Sequence, residues 1–205
     1  MTLKLNSSSS GSVSFVAPAS TTAGADINLA LPVDGGTVDR LERAGNILQV
    51  KQAVKTDRAS ATGYNWTDTG LSVDITPTST TSNILVMANI HLGGGAAYDM
   101  KLKIVRDTTD IGLGDGDGSR PAVTSVLNVW DAEAVDRNYK MAPVGISYLD
   151  TSVSTTAPVT YKVQFASYGT FVLYVNRSET YAVNTPTNDY DSTPISTLTL
   201  MEVAG

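Results

Sequence analysis

Leu71-Ser72-Val73-Asp74-Ile75-Thr76-Pro77-Thr78-Ser79-Thr80-Thr81-Ser82-Asn83-Ile84-Leu85-Val86-Met87 reads as a strand, a turn and a second strand. Leu71, Val73 and Ile75 alternate with Ser72 and Asp74, a period of two that puts the apolar side chains on one face. Pro77 and the hydroxyl cluster Thr78 to Ser82 stop the run. Ile84 to Met87 then opens a continuous apolar strand, the kind buried on both faces.

The same grammar extends outward. Leu48, Val50 and Val54 alternate with Gln49, Lys51 and Lys55. Met100, Leu102 and Ile104 alternate with Lys101 and Lys103. Tyr161, Val163 and Phe165 alternate with Thr160, Lys162 and Gln164. Val123 to Trp130, the set Val144, Ile146 and Tyr148, Phe171 to Val175, and Leu198 to Val203 complete the series. Turn clusters separate them: Gly93-Gly94-Gly95, Gly112 to Gly118, and Thr185 to Thr193. About nine strands at this spacing predict an all-β fold, an antiparallel jelly-roll sandwich spanning 46–205.

Residues 1–36 read differently. Three short strand-like pieces carry Leu3 and Leu5, then Val13, Phe15 and Val16, then Ile27, Leu29 and Leu31, with Ser/Gly/Pro turns between. Short strands alone are marginal in water. This extended β segment therefore needs a partner: the rest of the chain, a symmetry mate or another protein. Thr37 to Gly45 forms a short connector and the one segment with a helical reading, with Thr37 or Asp39 as cap and Gly45 as stop.

Composition excludes several classes. The chain of 205 residues has no Cys, one His and a formal charge of −6. Without Cys there is no disulfide framework, thiol nucleophile, zinc finger or iron–sulfur site. An acidic chain without clustered Lys/Arg is a poor nucleic-acid binder. There is no long apolar run for a membrane helix. Met1 leads into polar Thr-Leu-Lys-Leu-Asn, so no secretory signal is read. The 20 Ser and 26 Thr outnumber all Lys, Arg, Asp and Glu together, so hydroxyl groups rather than charges carry the polarity.

Chemistry-bearing motifs are sparse. Asp115 and Asp117 in Gly112-Leu-Gly-Asp-Gly-Asp-Gly118 are weak calcium candidates. From Asp115, position six of an EF-hand loop is Arg120 and position twelve is Val126, which fails that pattern. The favoured reading is a Gly/Asp turn. His91 has no nucleophile elbow to serve and reads as structural or solvent-facing. Of the four Glu (Glu42, Glu133, Glu179, Glu202), none sits in a pattern that assembles a glycosidase pair. No catalytic residue and no cofactor is expected. Tyr64, Trp66, Trp130, Tyr139, Tyr181 and Tyr190 fall in or beside predicted loops. Packing is the favoured role, with Tyr181 and Tyr190 the best candidates for glycan contact. Asn65-Trp66-Thr67 and Asn176-Arg177-Ser178 match the glycosylation sequon as chance matches.

Several motifs occur in an order that resembles structural proteins of tailed phages, especially phages of cyanobacteria and marine bacteria. They are Ile47-Leu-Gln-Val-Lys-Gln-Ala-Val-Lys-Thr-Asp57, Gly70-Leu-Ser-Val-Asp-Ile-Thr-Pro77 and Ser82-Asn-Ile-Leu-Val86. Arg106-Asp-Thr-Thr-Asp-Ile-Gly112, Pro143-Val-Gly-Ile-Ser-Tyr-Leu-Asp150 and Thr160-Tyr-Lys-Val-Gln164 follow. Tyr174-Val-Asn-Arg177 and Ser196-Thr-Leu-Thr-Leu-Met-Glu-Val203 close the series. Leu3 to Leu5, Gly11 to Pro18 and Leu29 to Pro32 resemble a segment of phage fibre proteins, a shorter match. The resemblance implies a trimeric jelly roll of the tumour necrosis factor type and a non-enzymatic virion protein. It implies as partners two further copies, a major capsid or tail protein and, for a fibre, a host-surface glycan, with Leu3, Leu5, Val13, Phe15, Val16, Ile27, Leu29 and Leu31 as candidates for virion docking or a trimer interface. It places the protein on the particle surface after assembly in the host cytoplasm. Fibres usually carry an adaptor before this segment, whereas here it begins at Met1. That departure favours a capsid decoration, a cement protein or head spike, over a short tail fibre that attaches to the host.

Overall fold

The computed structural model describes residues 43–94, 99–128, 139–179 and 192–205. Among the described residues eleven strands run β1 (Ile47–Lys55), β2 (Ala59–Thr62), β3 (Thr67–Ile75), β4 (Asn83–Gly93), β5 (Met100–Arg106), β6 (Thr109–Ile111), β7 (Ser125–Leu127), β8 (Met141–Asp150), β9 (Val159–Ala166), β10 (Val172–Val175) and β11 (Ser196–Val203). All pair antiparallel. One sheet has the order β8–β4–β11–β1, and β10 and β2 extend from the far end of β4. The other has the order β3–β9–β5, with β6 and β7 side by side along the free edge of β5. Successive connections β2–β3, β3–β4, β4–β5, β7–β8, β8–β9 and β9–β10 hop between the sheets, which gives the jelly-roll sandwich that the spacing predicts.

The eight motifs of the resemblance within 46–205 fall on strands or hairpins: β1, β3, β4, β5–β6, β8, β9, β10 and β11. The core lies between the sheets. Ile84, Val86, Ile90, Leu92, Leu198 and Leu200 point in from one sheet. Leu71, Ile75, Leu102, Ile104, Tyr161, Val163 and Phe165 point in from the other. Two of the eleven strands escaped the sequence pattern. β2, Ala-Ser-Ala-Thr, has no large apolar side chain to mark a period, and β6 is only three residues long. Of the run predicted at Val123 to Trp130, the described part ends at Asn128 and is strand over β7.

Residues 1–36, with Leu3, Leu5, Val13, Phe15, Val16, Ile27, Leu29 and Leu31, lie outside the described residues, as do Thr37 to Glu42. The end of the connector is a tight turn. Asn46 N–H donates to Arg43 O at 2.9 Å, and Gly45 adopts a φ of +88° that a side chain would resist. Its N–H donates to Ala204 O at 2.8 Å, which ties the start of β1 to the end of β11.

Buried polar groups latch the sandwich together. Asp150 is fully buried at the end of β8. It accepts from Arg106 Nη1 (2.7 Å), Tyr161 OH (2.8 Å), and Ser152 N–H (3.0 Å) and Oγ (2.8 Å). Burial works to raise its carboxyl, but these donors outweigh burial and hold it below the usual carboxylate range. The same burial and the Asp150 charge push the Tyr161 phenol far up. Glu202, buried in β11, accepts from Gln49 Nε2 (2.6 Å), and from Thr78 N–H (2.6 Å) and Oγ1 (2.7 Å). Burial again opposes these donors, and the carboxyl is again held low.

Candidate subunit interface

The alternation in β1 is where the sequence reads it, and its Val50 and Val54 face points out of the sandwich. Lys55 is buried, with its ammonium 2.8 Å from Asp57, while Val50 and Val54 are 53% and 51% exposed. β4 corrects the reading of a strand buried on both faces. Within one chain Ile84, Val86, Ala88, Ile90, Leu92 and the terminal Gly93 are buried, and Met87 on the opposite face is 41% exposed.

Strand register assembles these outward residues into rows, because residues paired across an antiparallel ladder share a face. The first row is Val50, Met201, Leu85 and Leu149 across β1, β11, β4 and β8. The second is Gln52, Thr199, Met87 and Ser147, and the third is Val54, Thr197, Asn89 and Gly145. None of these twelve residues is charged. Nine of them, all but Val54, Leu85 and Leu149, line a shallow hollow of about 600 Å³. Gly145 leaves it open, since a Cβ there would meet no heavy atom within 4 Å.

The outer face of the other sheet is built for water. Asp68 accepts from Gln164 Nε2 (2.6 Å) and pairs with Lys162 (3.1 Å), and Asp74 accepts from Thr160 Oγ1 at 2.6 Å. Burial works to raise the Asp68 carboxyl, but Gln164 and Lys162 hold it low. One sheet therefore wears a lattice of opposite charges and the other an uncharged apolar and hydroxyl surface. A contiguous apolar patch marks a contact site. In a chain carrying −6, an uncharged face is also where copies approach with least repulsion.

The other sequence candidates are not gathered into a site. Asp115 and Asp117 are exposed in a β-hairpin excursion. Asp117 and Arg120 exchange backbone hydrogen bonds at 2.9 and 3.3 Å around Gly118, whose φ is +57°. The Asp117 carboxylate lies 3.3 Å from Arg120. Glycine at the first central position suits a type II′ turn, so turn geometry accounts for the Gly/Asp motif. No three potential metal ligands converge among the described residues.

His91 Nδ1 lies 2.9 Å from Ile195 O, a structural contact. Asn176 is fully buried with a φ of +59°, and its Nδ2 donates to Lys55 O (2.9 Å) and Asp57 O (3.0 Å). No glycan fits there, so that sequon is a chance match. Tyr181 and Tyr190 lie outside the described residues. Packing was the favoured role for Tyr64, yet it is 62% exposed.

No protein-family model and no curated protein sequence matches the chain. Among solved structures it is similar to that of the infectious bursal disease virus Gx strain (10% identity, TM-score 0.40) and of the Gt strain (10%, 0.41). It is also similar to the VP2 subviral particle of that virus (11%, 0.34). Each match covers 86% of this chain but only 42–43% of the other, so the chain spans less than half the length of those proteins.

Proposed function

We propose that the protein is a non-enzymatic virion structural protein, a homotrimer that decorates the capsid surface of a tailed phage. Three copies pack through the outer face of the β8–β4–β11–β1 sheet, and residues 1–36 dock on the particle or knit the chains together. The observation that carries the association is the uncharged face built from the Val50, Gln52 and Val54 rows. The ordered motifs on eight strands and hairpins support the virion role and the number three. The consumed carboxylates of Asp150 and Glu202 leave no free acid–base pair between them, which suits a structural part.

Deletion of residues 1–36 tests the docking role. Truncated protein should be absent from purified particles while its sandwich keeps a cooperative melt. Normal incorporation of the truncated chain would sink that reading. A short tail fibre is the second reading, and the exposed aromatics beside β3 favour it. Gold-labelled antibody on virions separates the two, with many copies over the head for a decoration and few at the tail for a fibre.

A further inference from the structure

A second cleft, of about 450 Å³, opens away from the uncharged sheet face, against β5 and β9. It falls in the range of roughly 300–1,000 Å³ typical of small-ligand sites. Its aromatic wall is Tyr64, Trp66 and Tyr168, and its polar rim is Asp99, Lys101 and Arg120. Tyr64 and Tyr168 meet edge to face, with centroids 5.4 Å apart at 76°, and are 62% and 49% exposed.

The frame is rigid. Ser167 N–H donates to Gly63 O at 2.9 Å, zipping the two aromatic loops together. Gly63 has a φ of +79°, and a Cβ on it would lie 2.9 Å from Gly169 O, so only glycine lets the loops approach this closely. Lys103 Nζ sits 4.7 Å from the centroid of the Trp66 ring and 2.8 Å from Asp110, which fixes that ring.

Large aromatics left exposed on a fixed frame are poised for a ligand with an apolar face. The rim asks for hydroxyl groups rather than anions, because each cation already has an acid beside it. Lys101 is 2.7 Å from Asp99, and Arg120 is 3.3 Å from Asp117. Paired acids and bases supply both acceptors and donors at neutral net charge. A pyranose ring has this dual character, with C–H bonds on its face and hydroxyls around its edge.

We propose that this cleft binds a neutral hexopyranose unit of a surface glycan, stacked on Tyr64 and Tyr168 with its hydroxyls on Asp99 and Arg120. The site goes beyond the structural role and does not depend on whether the protein sits on head or tail.

Saturation-transfer NMR on the full-length protein tests it. The probes are the methyl glycosides of glucose, galactose, mannose and N-acetylglucosamine at millimolar concentration. At least one should receive saturation on its ring C–H protons. Y64A and R120A should each weaken that binding at least tenfold. Both residues are exposed, so both variants should keep the wild-type melting temperature. Absence of transfer to all four glycosides overturns the proposal. So does transfer that survives Y64A combined with Tyr168→Ala.

Discussion

At the scale of single residues, stability rests on polar groups that the sandwich has taken out of water. Asp150 is held by four donors, one of them the Arg106 guanidinium. Removing one partner of a buried ion pair leaves the other uncompensated, so Asp150→Ala should cost about 3–5 kcal/mol in chemical denaturation. The sign of the pH dependence follows from the lowered carboxyl. Its contribution is complete above the ordinary Asp value near ~4 and is lost as pH falls through the lower folded value. The melting temperature should therefore drop below about pH 4, and less steeply in Asp150→Asn. An equal slope in that variant would contradict the assignment. Asn176 is the second such residue. It bridges Lys55 O, Asp57 O and Ser196 Oγ, the last at 2.6 Å, and its left-handed backbone suits asparagine. Asn176→Ala should lose about 1–3 kcal/mol, measured the same way.

At the scale of elements, the period of two located most strands. Large apolar side chains on alternate positions announce β3, β5 and β9 without help from anything distant. β2 was invisible because alanine, serine and threonine carry no hydrophobic period. The direction of β1 was also invisible, since period alone says that two faces differ and not which of them meets the core. That is settled by pairing to β11, about 150 residues away in the chain (Val50↔Met201). A partial signal did exist. Ile84 to Met87 is apolar on both faces, and in one chain only one face is covered. The surplus is Leu85, in the row of Val50 and Leu149, and Met87, in the row of Gln52 and Ser147. The candidate site was thus readable as strands but not as a surface, because its rows exist only after four strands are in register. A test belongs at this scale. Gly145→Arg puts a long cation over the hollow where a Cβ meets open space, so the single chain should tolerate it within about 0.5 kcal/mol. The assembly should not, because it would bury an unpaired charge.

At the scale of the whole molecule, the two sheets divide the labour. One outer face carries paired charges and suits solvent; the other is uncharged and suits copies of the chain. If copies associate through that face, mass action stabilises the assembly, so its melting temperature should rise with protein concentration. The chain has no cysteine, so reductant should not alter that behaviour. On the proposed function, copies meet at the uncharged face. The most direct measurement is the solution mass by sedimentation equilibrium, for wild type beside Gly145→Arg and Met87→Lys, with circular dichroism on each. A trimer joined through that face should give three times 21.5 kDa for wild type and a folded species of one chain mass for both variants. A wild-type monomer, or variants that keep the wild-type mass while folded, would contradict it.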